Sequence, residues 1–257
     1  MAKPFLSVII PAYNEADRLP LTLIDVDRHL SEQEYSYEII VVNDGSTDST
    51  AEIARRFISL IPNLKLLDNP TNQGKGLAVK QGMLSAKGNW RLFMDADNST
   101  SVVEFNKMMP YLSAGGGSIY GKKETYDVII GSRSVRGARK RPGPALIRWL
   151  LDKFNNLAIQ LLLLRGVWDT QCGFKCFSEA AADRIFPLIK IDRWGFDIEA
   201  LALAKVLGYK IKEMPIFWSE SGYSHVRLSD HLQILWEAFK IRWWLWRGKY
   251  ENLEFRS

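Results

Sequence analysis

The sequence predicts an α/β domain with a mostly parallel sheet flanked by helices. Through the first 132 residues, strand-like runs alternate with helical patterns, the spacing of right-handed βαβ units. The runs "EIIVV" and "DVII" are continuously apolar, as strands covered on both faces should be. Each run ends in a polar cluster, and ligands of such sheets sit beyond the carboxyl ends of the strands.

Strands are expected at 6–10, 37–42, 64–67, 90–94 and 127–131, with helices near 17–31, 48–60, 76–86 and 102–113. The N-terminal "MAKPFLSVIIPAYNE" imitates a signal peptide, but its apolar run ends at Pro11, too soon for an h-region. It reads as the first buried strand. Residues 128–151 then hold six Arg or Lys and no acid. A leucine-rich helix follows at about 146–165, then the segment "DTQCGFKCF", helices near 179–187 and 197–207, and a strand pair around 209–218. "AGGGS" at 114–118 has the composition of a flexible surface insertion. No internal repeat or long linker divides the chain, so one domain with a C-terminal extension is the simpler organisation.

Composition narrows the classes. With 47% hydrophobic and 25% charged residues in 257, the chain is globular rather than disordered. Its net charge of +5 suits an anionic partner. No nucleic-acid motif accompanies the basic stretch, so that partner is not expected to be nucleic acid. Cys172 and Cys176 alone do not make a structural zinc site. No stretch reaches the roughly 18 apolar residues of a transmembrane helix, so a soluble or peripheral protein is expected.

The polar tips carry the chemistry. "LFMDADNST" drives an apolar strand into Asp95 and Asp97, which are costly to bury without a partner. Three readings compete: a turn in which Asp97 or Ser99 caps the next helix, a phosphatase nucleophile, or a pair of hard ligands for magnesium or manganese on a diphosphate. A phosphatase nucleophile normally follows the first strand, whereas this pair follows the fourth. In "NDGSTDST", Ser46 or Thr47 can cap a helix beginning near Asp48, and Asp44 can reach over the sheet edge toward a base or ribose. "NQGKG" is too short for a Walker loop, yet Lys75 at a helix start suits a phosphate or base.

Seven segments in order, "SVIIPAYNEADRLP", "IIVVNDGSTDST", "NQGKGLAVKQGMLSAKGNW", "LFMDADNST", "IIGSR", "DTQCGFKCF" and "RWGFDIEAL", resemble the family 2 glycosyltransferases of the GT-A type. The last two look most like the dolichyl-phosphate glucosyltransferases, with polyprenyl-phosphate mannose synthases as near relatives. The resemblance covers roughly residues 5–245. It implies a nucleotide-sugar site lined by Pro11, Tyr13, Glu15, Val42, Asp44, Lys75, Asp95, Ala96 and Asp97. It also implies a Mg2+ or Mn2+ ion on Asp97 with Asp95, and Arg133 at the sugar or acceptor phosphate. Residues 1–228 would form the GT-A domain, with a nucleotide-sugar half at 1–132 and an acceptor half at 133–228. Residues 229–257 would form an amphipathic helix and tail. The chain departs from the family in Ser99, Asn43-Asp44 and "SGYSHVR", where His225 replaces a lysine and Arg227 can take over its contact.

The implied reaction is an inverting transfer of a hexose, glucose from UDP-glucose as first choice, to a polyprenyl phosphate. Such an acceptor needs cations more than a base, and Arg133 and Arg148 are candidates because guanidinium forks match phosphate oxygens. A GDP-mannose donor or a sugar-hydroxyl acceptor are the rivals, and a hydroxyl would need Asp197 as general base. Asp197 and Glu199, at a helix start, are equally read as capping residues. Four of nine tryptophans (Trp236, Trp243, Trp244, Trp246) lie in the last 22 residues among Lys240, Arg242, Arg247 and Lys249. That pattern fits a peripheral contact on the cytoplasmic face of a membrane, or a homo-oligomer interface.

Overall fold

A computed structural model describes residues 3–114, 117–118, 124–140, 155–219 and 228–250. β1 (Leu6–Ala12), β2 (Tyr37–Asp44), β3 (Leu64–Asn69) and β4 (Trp90–Met94) alternate with α1 (Leu19–Ser31), α2 (Thr50–Ile58) and α3 (Lys75–Ser85), as the sequence predicts. The expected helix over 102–113 is broken into the 3-10 turn Val102–Glu104, α4 (Phe105–Met108) and the 3-10 turn Met109–Tyr111. Pro110 removes a backbone donor there. β5 (Ser113–Ala114) pairs antiparallel with β6 (Gly117–Ser118) in the glycine-rich segment.

β7 (Val128–Ser132), β9 (Phe174–Ser178) and β10 (Ile211–Pro215) complete a seven-stranded sheet of order β10-β7-β9-β4-β1-β2-β3. Only β9 is antiparallel to its neighbours, lying between β4 and β7. The expected strand pair around 209–218 is instead two strands with different partners. β10 joins β7, and after Pro215 the chain leaves it, so that β11 (Phe217–Trp218) pairs with β8 (Arg139–Lys140).

Successive residues of a strand feed opposite cores. Ile9, Val42, Phe93 and Phe177 pack with Val79 and Met83 of α3, while Val8, Val41, Leu92 and Phe174 pack with Leu23 and Val26 of α1. Burial of each such side chain contributes about 1.5–3 kcal/mol. α6 (Glu179–Ile185) and α7 (Phe196–Val206) cover the first face. The described part of the leucine-rich helix, α5, spans 155–162, with Ile159 buried and Leu157 and Leu161 exposed.

α8 (Leu228–Trp246) closes the described chain against α7. Ile234, Ala238 and Ile241 are buried in the core, whereas Leu232, Trp236, Phe239, Trp243 and Trp246 are exposed. Among the described residues, no helix is long and apolar enough to cross a membrane.

Candidate active site

The strand tips are sewn to one another by side chains. Asn14, in a left-handed conformation (φ 55), donates its N–H to Ser46 Oγ (2.9 Å) and accepts from the Thr47 N–H (2.9 Å). The N–H groups of Glu15 and Ala16 donate to Thr50 Oγ1 (2.8 Å) and Asp48 Oδ2 (3.1 Å). Ser46 and Thr47 therefore serve the tip of β1 instead of capping α2. Asp48 accepts the Thr50 N–H at that helix start (2.9 Å).

Asp44 turns inward. Its Oδ1 accepts from the Gln73 N–H (2.8 Å), and its Oδ2 from the Gly74 N–H (2.9 Å) and Asn72 Nδ2 (3.0 Å). The 72–74 loop wraps this carboxylate and needs Gly74 at φ 105, a conformation that side chains disfavour. The carboxylate thus organises the third tip.

That loop delivers Lys75 to the fourth tip. Its Nζ lies 2.5 Å from Asp95 Oδ1 and 5.8 Å from the Trp194 ring centroid. Burial alone would lower the Lys75 pKa, but Asp95, Asp197 and Asp97 raise it, so the ammonium stays charged. Asp95 packs against the backbone of Gly173, where a Cβ would stand 2.0 Å from Asp95 Oδ2. Asp97 Oδ1 accepts the Ser99 N–H (2.9 Å), closing a turn through Asn98 at φ 53. The cap of the following 3-10 turn is Ser101, not Asp97 or Ser99. The Ser99 carbonyl accepts the Ser219 N–H (2.9 Å), tying this turn to the residues after β11.

Glu15 sits beside this acidic turn. Burial pushes its pKa up to about 7, Arg18 opposes, and Asp97 and Asp95 add to the rise. Negative charge is therefore concentrated where a cation would be attracted. Among the described residues, no three His, Cys, Asp or Glu gather into a metal cage. Two carboxylates on one turn fit an ion that takes its remaining ligands from water and phosphate oxygens, which is the habit of Mg2+ and Mn2+.

A guanidinium occupies the end of β7. Asp169 accepts from Arg133 Nε (2.9 Å), Nη2 (2.9 Å) and backbone N–H (2.7 Å), and the Arg133 guanidinium lies 5.6 Å from the Trp218 ring centroid. Burial would raise the Asp169 pKa, but Arg133 outweighs it and holds the carboxyl at about 2. Glu213 fixes this loop by accepting the N–H groups of Trp168 (2.8 Å) and Asp169 (3.0 Å).

Asp197 and Glu199 prove not to be caps. Asp197 is buried and bound to Lys175 Nζ (2.6 Å). Burial raises its pKa against the pull of Lys175 and Lys75. Glu199 accepts from the Ile191 N–H (2.8 Å) and the Tyr250 hydroxyl (2.7 Å). The N–H of Gly195, at the start of α7, donates to Glu237 of α8 (2.7 Å).

Of the residues singled out by sequence, Glu15, Lys75, Asp95 and Asp97 meet at one tip cluster, and Tyr13 is exposed at the end of β1. Pro11 and Val42 are register partners within the sheet, Val42 fully buried. The Ala96 carbonyl is taken by the Thr22 hydroxyl (2.6 Å). Arg148, His225 and Arg227 lie outside the described residues. Lys175, Trp194, Glu213 and Trp218 were not anticipated. The one available signal was Lys175, a charge between Phe174 and Phe177 in "GFKCF".

The glycosyl transferase family 2 model matches residues 7–186. The chain is 37% identical over 247 residues to the dolichyl-phosphate beta-glucosyltransferase of Dictyostelium discoideum, covering 93% of this chain and 74% of that protein. Its identity to the enzyme of the same name from Saccharomyces cerevisiae is 34% over 260 residues, covering 96% and 77%. Solved structures share the fold. Glucosyl-3-phosphoglycerate synthase from Mycobacterium tuberculosis, in complex with Mn2+, uridine diphosphate and glucosyl-3-phosphoglycerate, superposes with a TM-score of 0.63 at 19% identity, over 93% of this chain and 78% of that one. The mannosyltransferase PcManGT from Pyrobaculum calidifontis, in complex with GDP-Man and Mn2+, gives 0.58 at 20% identity, over 93% and 65%. The sheet order, the carboxylate turn and these likenesses agree: the chain belongs to glycosyl transferase family 2 and has the GT-A fold.

Proposed function

We propose that this enzyme transfers glucose from UDP-glucose, with inversion, to a polyprenyl phosphate of the dolichyl type. The observation that carries this reading is the Lys75–Asp95 pair beside Asp97, at the same carboxyl edge of the sheet as the clamped Arg133. Tyr13, Glu15, Lys75, Asp95 and Asp97 would meet the nucleotide and diphosphate. Mg2+ or Mn2+ held by Asp97 and Asp95 would neutralise the leaving diphosphate as a Lewis acid. The names of the relatives support glucose and a dolichyl-phosphate acceptor.

A lipid monophosphate has a second pKa near ~6, so it reaches the site largely as an anion. It needs orientation rather than deprotonation, and Arg133, held at the end of β7 by Asp169, is proposed to supply it. Arg148, His225 and Arg227 are proposed for the same phosphate. An acceptor hydroxyl would instead need a free base, and the buried Lys175–Asp197 pair argues against Asp197 in that role. A GDP-mannose donor remains the rival within the same acceptor class. A panel of UDP- and GDP-sugars with Mn2+, offered with and without a short polyprenyl phosphate, tests both choices. Transfer to the lipid from UDP-glucose supports the proposal, and transfer from GDP-mannose alone overturns the donor.

The same reading assigns 1–132 to the donor, 133–228 to the acceptor, and the 229–257 tail to a membrane surface on its cytoplasmic face. The exposed stripe Leu232, Trp236, Phe239, Trp243 and Trp246 supports this, with Lys240 4.9 Å from the Trp244 ring centroid and Arg247 5.4 Å from that of Trp246. Aromatic rings with flanking cations suit anionic headgroups. Co-sedimentation with anionic vesicles, lost in Trp236→Ser/Trp243→Ser, is expected. Concentration-dependent dimerisation without vesicle binding would favour the oligomer instead.

A further inference from the structure

Lys175 is a fully buried ammonium on β9, opposite Phe93 on β4 and Ile130 on β7. An unpaired charge there would cost several kcal/mol. Its Nζ donates to the Cys172 carbonyl (2.5 Å) and Asp197 Oδ1 (2.6 Å), and lies 5.3 Å from the Phe93 ring centroid. Asp197 acts electrostatically on Lys75, and Lys75 binds Asp95. Charges thus alternate Lys175, Asp197, Lys75, Asp95 from the core to the candidate metal turn. Through the Cys172 carbonyl, the same ammonium grips the segment between Asp169, which clamps Arg133, and Gly173, on which Asp95 rests.

We propose that Lys175 is a positioning residue for donor binding: it holds the Asp197 carboxylate and locks the 169–173 segment, so that Asp95, which rests on Gly173, and Lys75, which binds Asp95, are oriented before the nucleotide arrives. The inference rests on the nucleotide-sugar reading of the site. It explains why a lysine, whose burial is otherwise unfavourable, stands in a strand lined by aromatic rings.

Lys175→Met/Asp197→Asn removes both charges together, so neither partner is left buried alone. Binding of UDP with Mn2+, measured by calorimetry without acceptor, is compared with the thermal melt of the same sample. The proposal expects a cooperative melt and UDP affinity about 10–100-fold weaker, the usual cost of losing an outer-shell partner. A cooperative melt with wild-type UDP affinity overturns it, because a purely structural pair would be dispensable once both charges are gone. If the double variant does not fold, Asp197→Asn decides. It keeps the volume and an acceptor for Lys175, and it should still weaken UDP binding; unchanged affinity overturns the proposal. Failure of wild-type protein to bind UDP would refute the nucleotide-sugar reading itself, and the proposal with it.

Discussion

Lys75 Nζ lies 2.5 Å from Asp95 Oδ1, so the cation of the third strand tip neutralises the first carboxylate of the fourth. A diphosphate and a divalent ion would compete for this pair, the phosphate for the ammonium and the ion for the carboxylate. Lys75→Met should therefore bind Mn2+ alone more tightly than wild type. It should bind UDP-glucose about tenfold more weakly, the worth of one charge-assisted hydrogen bond. Calorimetry with each ligand separately checks both directions.

Asp97→Ala should abolish metal-dependent donor binding with little change in the melting curve, because Asp97 sits at a turn outside the two cores. Donor binding that survives and still responds to chelator would remove Asp97 from the metal site.

Glu15 gives a pH signature. Its folded pKa is raised from 4.5 to about 7, so the stability of the protonated form is present below 4.5 and is lost as pH rises through about 7. A cation on Asp95 and Asp97 would cancel charge that holds this proton. Mn2+ affinity should therefore rise with pH up to about 7, with proton release visible as a buffer-dependent calorimetric enthalpy. Glu15→Gln should flatten the profile.

Asp169 has the opposite sign. Its folded pKa is depressed to about 2, so its contribution is present above the ordinary 3.8 and is lost as pH falls toward 2. Asp169→Asn leaves Arg133 without its carboxylate, which for a buried pair costs about 3–5 kcal/mol, discounted here because the Arg133 side chain is 30% exposed. Urea melts at neutral pH and near pH 3 should show the loss shrinking with acid, and acceptor affinity should fall more than donor affinity.

Gly173→Ala tests the contact between β9 and the metal turn. The added Cβ would stand 2.0 Å from Asp95 Oδ2, so the carboxylate must move. Activity should fall about 10–100-fold while Mn2+-free thermal stability changes much less.

The βαβ half was legible because its signals are local: apolar runs, turn residues and helical periods. The tip cluster was legible because topology alone brings the ends of β1, β3 and β4 to one edge. β9 was not legible. Its five residues carry a buried lysine, whose charge is made tolerable in a strand by the distant Asp197 and by the Cys172 carbonyl. Asp44 has a structural role that was illegible for a related reason. Its carboxylate accepts from the N–H groups of Gln73 and Gly74, some thirty residues on. Ser46 and Thr47 look like helix caps in sequence, yet the neighbouring tip at Asn14 competes for them and wins.

The most direct measurement is the 31P spectrum of a short polyprenyl phosphate incubated with the protein, UDP-glucose and Mn2+. The lipid monophosphate signal should be replaced by that of a glycosyl phosphodiester, in step with release of UDP and with β configuration at the transferred sugar. Release of UDP with the lipid phosphate unchanged, while a sugar hydroxyl is glycosylated in the same tube, would contradict it.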